Sequence, residues 1–271
     1  MRTIVHLSDL HFGRVDQALL APITAQIHAL QPDLVVVSGD LTQRARSIQF
    51  EQAKAFLDGL PQPQIVVPGN HDIPLHNVAA RFLLPLRGYR RYICNDLQPA
   101  FIDDEIAVVG VNTARSLTFK DGRINAAQIA LARKQLAAAG EHVTKIIVTH
   151  HPFDLPVLRR SRDLVGSAAQ AMQGFAACGA DLLLAGHIHI SSAGNTAARY
   201  QIPGYSALVV QAGTATSTRA RGENNSFNVI RIAPDRIAIE RMAWEPQPGQ
   251  FVLHTRQCFA QNDNQWQADD R

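Results

Sequence analysis

The sequence predicts a layered α/β protein. Short apolar runs alternate with segments of helical periodicity as far as about residue 205, the pattern of strands and helices stacked in layers. Beyond that point the texture turns to β alone. At 271 residues and 46% hydrophobic content, the chain can bury a sizeable core, in one large domain or two small ones.

Strands are expected, in order, at 3–8 (TIVHLS), 33–38 (DLVVVS), 64–67 (QIVV), 106–111 (IAVVGV), 145–149 (KIIVT) and 181–185 (DLLLA). Helices are expected between them at 17–30, 47–59, 125–139 and 163–178. Asn125 and Asp163 are placed to cap, and Gly140 and Gly179 to stop. Three further strands follow at 207–212, 226–232 and 236–242, the last two joined by the turn Ala233–Pro234–Asp235. No repeat, low-complexity tract or linker interrupts residues 1–245, which read as one domain. Residues 246–271 are polar and Gln-rich, a tail suited to an edge strand, an oligomer arm or disorder. Such a tail leaves a homodimer possible through exchange.

Composition excludes several classes. No apolar stretch approaches the roughly 18 residues a bilayer span requires, and the N-terminus lacks a signal-peptide core, so a cytoplasmic protein is expected. Cys94, Cys178 and Cys258 are far apart and odd in number, which argues against a disulfide framework or a thiolate zinc site. They read as small buried hydrophobes. A net charge of +3 is weak support for nucleic acid, and the cluster Arg159, Arg160 and Arg162 reads as a solvated loop.

The informative residues stand at the strand ends. The first strand runs into Asp9 and His11 (SDLHFG), the second into Asp40 (SGDLTQ), and the third into Asn70, His71 and Asp72 (PGNHDIP). The strand at 145–149 runs into His150 and His151 (THHPF), and that at 181–185 into His187 and His189 (GHIH). In open α/β sheets the carboxyl ends of strands share one rim where ligands bind, so five segments are expected to converge. Residues i and i+2 of extended backbone point to one side, which pairs Asp9 with His11 and His187 with His189. Oxygen and imidazole donors without thiolate suit Mn, Fe, Zn or Co.

Asp9, His11, Asp40, Asn70, His150, His187 and His189 are too many ligands for one cation that keeps an open position. Two divalent or mixed-valence ions bridged by Asp40 fit the count. Such a pair can ionise a water between them and clamp the oxygens of an in-line displacement at phosphorus. The expected activity is therefore phosphoric ester hydrolysis.

Taken together, D-x-H, GD, GNHD, H-x-P and GHxH in this order resemble the calcineurin-like metallophosphoesterases, which include purple acid phosphatases and class III cyclic nucleotide phosphodiesterases. The resemblance covers residue 4 to about 190 by motif and extends to about 245 by architecture. It implies a four-layer α/β/β/α sandwich of two packed mixed sheets. It assigns Asp9, His11, Asp40 and His189 to one metal and Asp40, Asn70, His150 and His187 to the other. It makes His71 a catalytic residue facing substrate, with Asp72 orienting it or its loop. The neighbour His151 is left facing elsewhere.

A small phosphodiester, a cyclic nucleotide or a related molecule, is the expected substrate. Two divalent cations, less two carboxylates and a hydroxide, leave a single positive charge, which a monoanionic diester balances. A phosphomonoesterase and a UDP-diacylglucosamine hydrolase are alternatives on the same site, although the latter often carries Arg where this chain has His71. From other classes, a nuclease lacks its basic face here, and a non-catalytic scaffold should have lost ligands. Selectivity is expected in the loops 73–92, 113–124 and 152–166, with Asn112 and His76 as candidate substrate contacts. Taken singly, His76 reads as an ordinary surface residue, as do His28, His142 and His254; His6 can support the first motif from beneath.

Overall fold

The computed structural model describes residues 1–140, 142–155, 164–219, 222–263 and 265–269. Its first half runs β1 (Arg2–Leu7), α1 (Gln17–Leu30), β2 (Leu34–Val37), α2 (Ser47–Asp58), β3 (Gln64–Val66), α3 (Val78–Leu83), α4 (Arg87–Tyr92), β4 (Ala100–Ile102), β5 (Ile106–Gly110) and α5 (Ala126–Ala137). The second half runs β6 (Thr144–Val148), α6 (Ala168–Ala176), β7 (Leu182–Ala185), β8 (Ser192–Asn195), β9 (Leu208–Gln211), β10 (Ser226–Ala233), β11 (Arg236–Glu245), β12 (Gln250–Asn262) and β13 (Gln265–Ala268).

Two mixed sheets result. One has the order β13-β12-β11-β10-β1-β2-β3 and the other β4-β5-β6-β7-β9-β8. The alternation of side chains along each strand builds three cores from them. In β1 and β2, Ile4, Leu34 and Val36 face the second sheet and meet Val108, Ile146, Val148, Leu182, Leu184 and Val210. Their neighbours Val5, Leu7, Val35 and Val37 face outward and meet Leu19, Ile23 and Ile27 of α1 and Phe50 and Ala53 of α2. Across the molecule, Val109, Ile147 and Leu183 pack against Ile129 and Leu136 of α5 and Met172 and Phe175 of α6. The layers are α/β/β/α.

Local chemistry accounts for the helix ends. Asp16 caps α1 by accepting from Ala18 N, and Asn125 accepts from Gln128 N in a capping box at the start of α5. Helix α6 begins at Ala168, after Ser167 in a left-handed conformation. Asp163, expected as its cap, lies outside the described residues, as does the cluster Arg159, Arg160 and Arg162 and most of the loop 152–166. Short helices α3 and α4 occupy the loop expected at 73–92, and strands β4 and β8 were not apparent from the sequence. The Ser-Ala-Gly-Asn of β8 has little strand propensity, and its pairing with β9 holds it. All three cysteines are unpaired and half-buried rather than buried.

The polar segment after residue 246 forms the edge of the larger sheet. β12 pairs antiparallel with β11 from Gln250 to Ala260, and β13 folds back on it. Trp266 of β13 is 1% exposed between the sheets, its Nε1 donating to Asp181 Oδ1 at 3.1 Å. Trp266→Ala is expected to cost about 3–5 kcal/mol, read by urea denaturation; a change below about 1 kcal/mol would show that this edge adds nothing to the core.

Candidate metal centre

Strands β1, β2 and β3 run parallel, as do β6, β7 and β9, and the loops leaving their carboxyl ends meet at one rim. There the donor atoms crowd. His11 Nε2 lies 3.4 Å from Asp9 Oδ1 and 3.6 Å from Asp40 Oδ2, and His189 Nε2 lies 3.5 Å from Asp9 Oδ1. On the other side of Asp40, His150 Nε2 lies 3.4 Å from its Oδ1, 3.2 Å from Asn70 Oδ1 and 3.2 Å from His187 Nδ1. All seven residues predicted from the sequence are thus brought together, in two sets joined at Asp40.

The backbone places them by a different device from the one expected. Asp9, His11, Asp40, His187 and His189 are not extended: their φ angles are 55°, 51°, 54°, 74° and 62°. The strands end at Leu7, Val37 and Ala185, and left-handed residues then turn the side chains inward. Each such residue costs about 1 kcal/mol or more, strain characteristic of functional sites. The surroundings over-determine it. Asp9 N donates to Gly39 O and His11 N to Asp40 O, while His187 N donates to Asp9 Oδ2 and His71 N to Asp40 Oδ1. Gly186 is needed for close approach, since a Cβ there would stand 1.8 Å from Ser8 Oγ.

Outer partners fix the rings. His150 Nδ1 donates to Ser38 O at 2.8 Å, and His189 Nδ1 pairs with Thr214 Oγ1 at 2.7 Å, leaving each Nε2 to face the carboxylates. Beneath them, buried His6 pairs with Ser38 Oγ through Nε2. Burial by itself pushes the Asp9 carboxyl up, but His189, His11 and His150 more than offset this and hold it below the usual range. Asp40 is likewise held low against its burial, chiefly by His150. Burial lowers His187 to about 3, with His150 adding to it, while Asp40 overcomes burial to raise His150 to about 9.

These groups fit cations. Asp9 Oδ1 and both ring nitrogens of His11 are buried without a hydrogen-bond partner, an expensive arrangement in the absence of a positive ion. Separations of 3.2–3.6 Å lie at or beyond the long end of good hydrogen bonds and close to the ligand-to-ligand edges of about 3–3.5 Å around an ion bound at about 2.1 Å. Four groupings among the described residues, the buried Asp9–His11–His189 and Asp9–Asp40–His150 and the partly buried His150–His151–His187 and His11–Asp40–His71, each hold their donor atoms within 4.8 Å of one another.

The calcineurin-like phosphoesterase family model matches residues 2–191, which contain every one of these donors. The chain belongs to that family. Among its relatives, the glycerophosphodiester phosphodiesterase GpdQ of Enterobacter lignolyticus is 29% identical over 165 residues, 56% of this chain and 58% of that protein. The 3′,5′-cyclic adenosine monophosphate phosphodiesterase CpdA of Escherichia coli is 27% identical over 205 residues, 69% of each chain. This chain therefore spans less than two thirds of the first of these relatives. A dimetal phosphatase from Danio rerio shares the fold, with a TM-score of 0.66, 14% identity, and 89% and 96% of the two chains covered.

In this chain, Asp72 contacts the loops rather than the His71 ring. It accepts from Gly69 N, Leu41 N, Thr42 N and Thr42 Oγ1, tying the GNHD turn to the loop that carries Asp40. Burial and the charge of Asp40 push its carboxyl up to about 6. The His71 ring is held from both ends, with Nδ1 donating to Gln43 O at 3.0 Å and Nε2 accepting from Arg219 Nη1 at 3.0 Å. Its pKa is lowered by burial, against which Asp40 and the Gln43 carbonyl raise it, while His11 and Arg219 lower it further.

The proposed substrate contacts are less engaged. Asn112 is buried, with its Oδ1 accepting from Ala114 N in a local turn, and His76 is exposed beside α3. His151, whose ring was expected to face elsewhere, is a buried strut, pairing with Thr113 Oγ1 and donating to Lys120 O while its ring packs 4.5 Å from His187. Arg219 and Thr214 were missed altogether. A signal existed: TATSTR follows the strand at 207–212, and a strand parallel to β7 delivers its carboxyl end to the same rim. A groove of about 1280 Å³ lined by Arg133, Lys145, Asp181 and Tyr205 opens at the amino-terminal ends of β6, β7 and β9, the opposite rim.

Proposed function

We propose that the chain is a dinuclear metal-dependent phosphodiesterase acting on a small phosphodiester, a cyclic nucleotide or a related molecule. The observation that carries this reading is the pair of buried donor sets sharing Asp40: Asp9, His11 and His189 on one side, Asn70, His150 and His187 on the other. Mn, Fe, Zn or Co would suit both sets. Such ions, when bound, supply Lewis-acid charge for phosphoryl oxygens and lower the pKa of water toward neutrality. The chain's own residues supply the rest. Backbone N–H groups of His71 and His187 fix the two carboxylates, Ser38 and Thr214 fix imidazole tautomers, and His71 with Arg219 faces the place where phosphoryl charge develops. The names of GpdQ and CpdA support a diester over a monoester.

The test is hydrolysis by Mn-loaded protein of bis(p-nitrophenyl) phosphate beside p-nitrophenyl phosphate, followed by 2′,3′- and 3′,5′-cyclic AMP and glycerophosphodiesters. Faster turnover of the diester is expected. Preference for the monoester would overturn the diesterase reading and leave a phosphatase on the same donor set.

A further inference from the structure

Arg219 stands at the centre without being one of its donors. Its Nη1 donates to His71 Nε2 at 3.0 Å, and the His71 ring meets His11 edge-on at 4.9 Å. Donor atoms of His11, Asp40 and His71 lie within 4.8 Å of one another, so the guanidinium is one imidazole away from both sets. The segment before it is lashed to the loop that carries Asp9 and His11. Ala215 N donates to Ser8 O, Thr216 Oγ1 to Leu10 O, Asp16 N to Thr216 O, and Thr218 N to Arg14 O, while Ser217 bridges Val15. The same segment supplies Thr214 Oγ1 to His189 and the Ser217 Oγ that accepts from Arg219 N. Residues 214–219 therefore orient one donor ring and deliver one cation, on backbone fixed at nearly every step.

We propose that Arg219 is a catalytic residue whose guanidinium contacts a non-bridging oxygen of the substrate phosphoryl group beside His71, an inference that rests on the phosphoesterase reading above. A guanidinium carries five N–H donors in a planar fork that matches phosphoryl oxygens, always charged and never a proton acceptor. A donor fixed in advance where negative charge grows stabilises the transition state without reorganising. Arg219 also adds a positive charge to the single one left by counting cations, carboxylates and hydroxide, so a phosphoryl group with a second negative charge draws more on the guanidinium than one with a single charge, whichever ester the whole site prefers. It is a determinant of specificity as well as of rate: its removal penalises a dianionic monoester more than a monoanionic diester.

The experiment compares wild type, Arg219→Met and Arg219→Lys as Mn-loaded full chains. It reads metal content, kcat and KM on both nitrophenyl esters, and binding of inorganic phosphate by calorimetry. For Arg219→Met the expected result is unchanged metal content, kcat/KM lower by about 10²-fold on the diester and more on the monoester, and phosphate binding at least about tenfold weaker. Arg219→Lys should recover part of each. Unchanged kinetics and phosphate binding would overturn the proposal, and so would a loss of activity that merely tracks loss of metal, which would make the segment a support for His189. If wild type hydrolyses neither ester, the phosphoesterase reading fails on its own, and phosphate binding still decides whether Arg219 holds an oxyanion.

Discussion

Replacing Asp40 by alanine is expected to release metal from the site and lower turnover by about 10⁴-fold or more, the scale seen when a member of an interdependent catalytic unit is removed. The expectation follows from where its two oxygens lie. Oδ1 faces His150 Nε2 at 3.4 Å and accepts from His71 N at 2.8 Å, while Oδ2 faces His11 Nε2 at 3.6 Å. Donor atoms of Asp40 lie within 4.8 Å of those of His11 and His71 in one grouping and of Asp9 and His150 in another, and the residue is 1% exposed, so water cannot take its place freely. Without it, both sets lose a negative charge that opposes repulsion between bound cations. Metal content by mass spectrometry after dialysis, together with turnover of bis(p-nitrophenyl) phosphate, checks this. Asp40→Ala that keeps full metal and turnover would refute the shared-carboxylate reading. Asp72→Asn is a useful contrast, because Asp72 touches only loop donors and its loss should leave the metal in place.

The fold was legible because two-sided burial leaves a plain trace. Strands such as LVVV at 34–37 lie between a helix layer and a second sheet, so every position is apolar and no alternation masks the run. The donor residues were legible for a related reason: Asp and His have little place at the end of a buried strand unless something pairs with them. The route by which they converge was not. Five of them adopt left-handed φ, and nothing in an Asp or His codon position declares that; the glycines beside them, such as Gly39 and Gly186, hinted only at close approach. Polar β12 was ambiguous because an edge strand is solvated, and its exposed residues Leu253 to Gln257 carry no hydrophobic period. Arg219 was hidden by ordinariness. An arginine in a Ser/Thr-rich loop looks like surface, and the contact with His71 points to its role.

His71→Ala is expected to lower turnover by about 10²–10⁴-fold while leaving metal content unchanged. The metal should stay because the link from residue 71 to Asp40 is main-chain: its N–H donates to Oδ1, and its carbonyl accepts from Thr42 Oγ1, neither of which needs the imidazole. The kinetic pattern carries the information. In the observed pairing Nδ1 holds the proton that goes to Gln43 O, and Nε2 is an acceptor facing Arg219. A ring held so acts by placing the guanidinium and shaping the field, and the loss should then be alike for nitrophenolate and for alkoxide leaving groups. A loss that disappears with nitrophenolate would instead make Nε2 the proton donor to the leaving oxygen, which requires Arg219 to give up this contact when substrate binds. A double-mutant cycle separates the two cases. If His71 works through Arg219, the double variant His71→Ala with Arg219→Met should be little worse than the poorer single variant. If each acts on its own oxygen, the two losses should multiply.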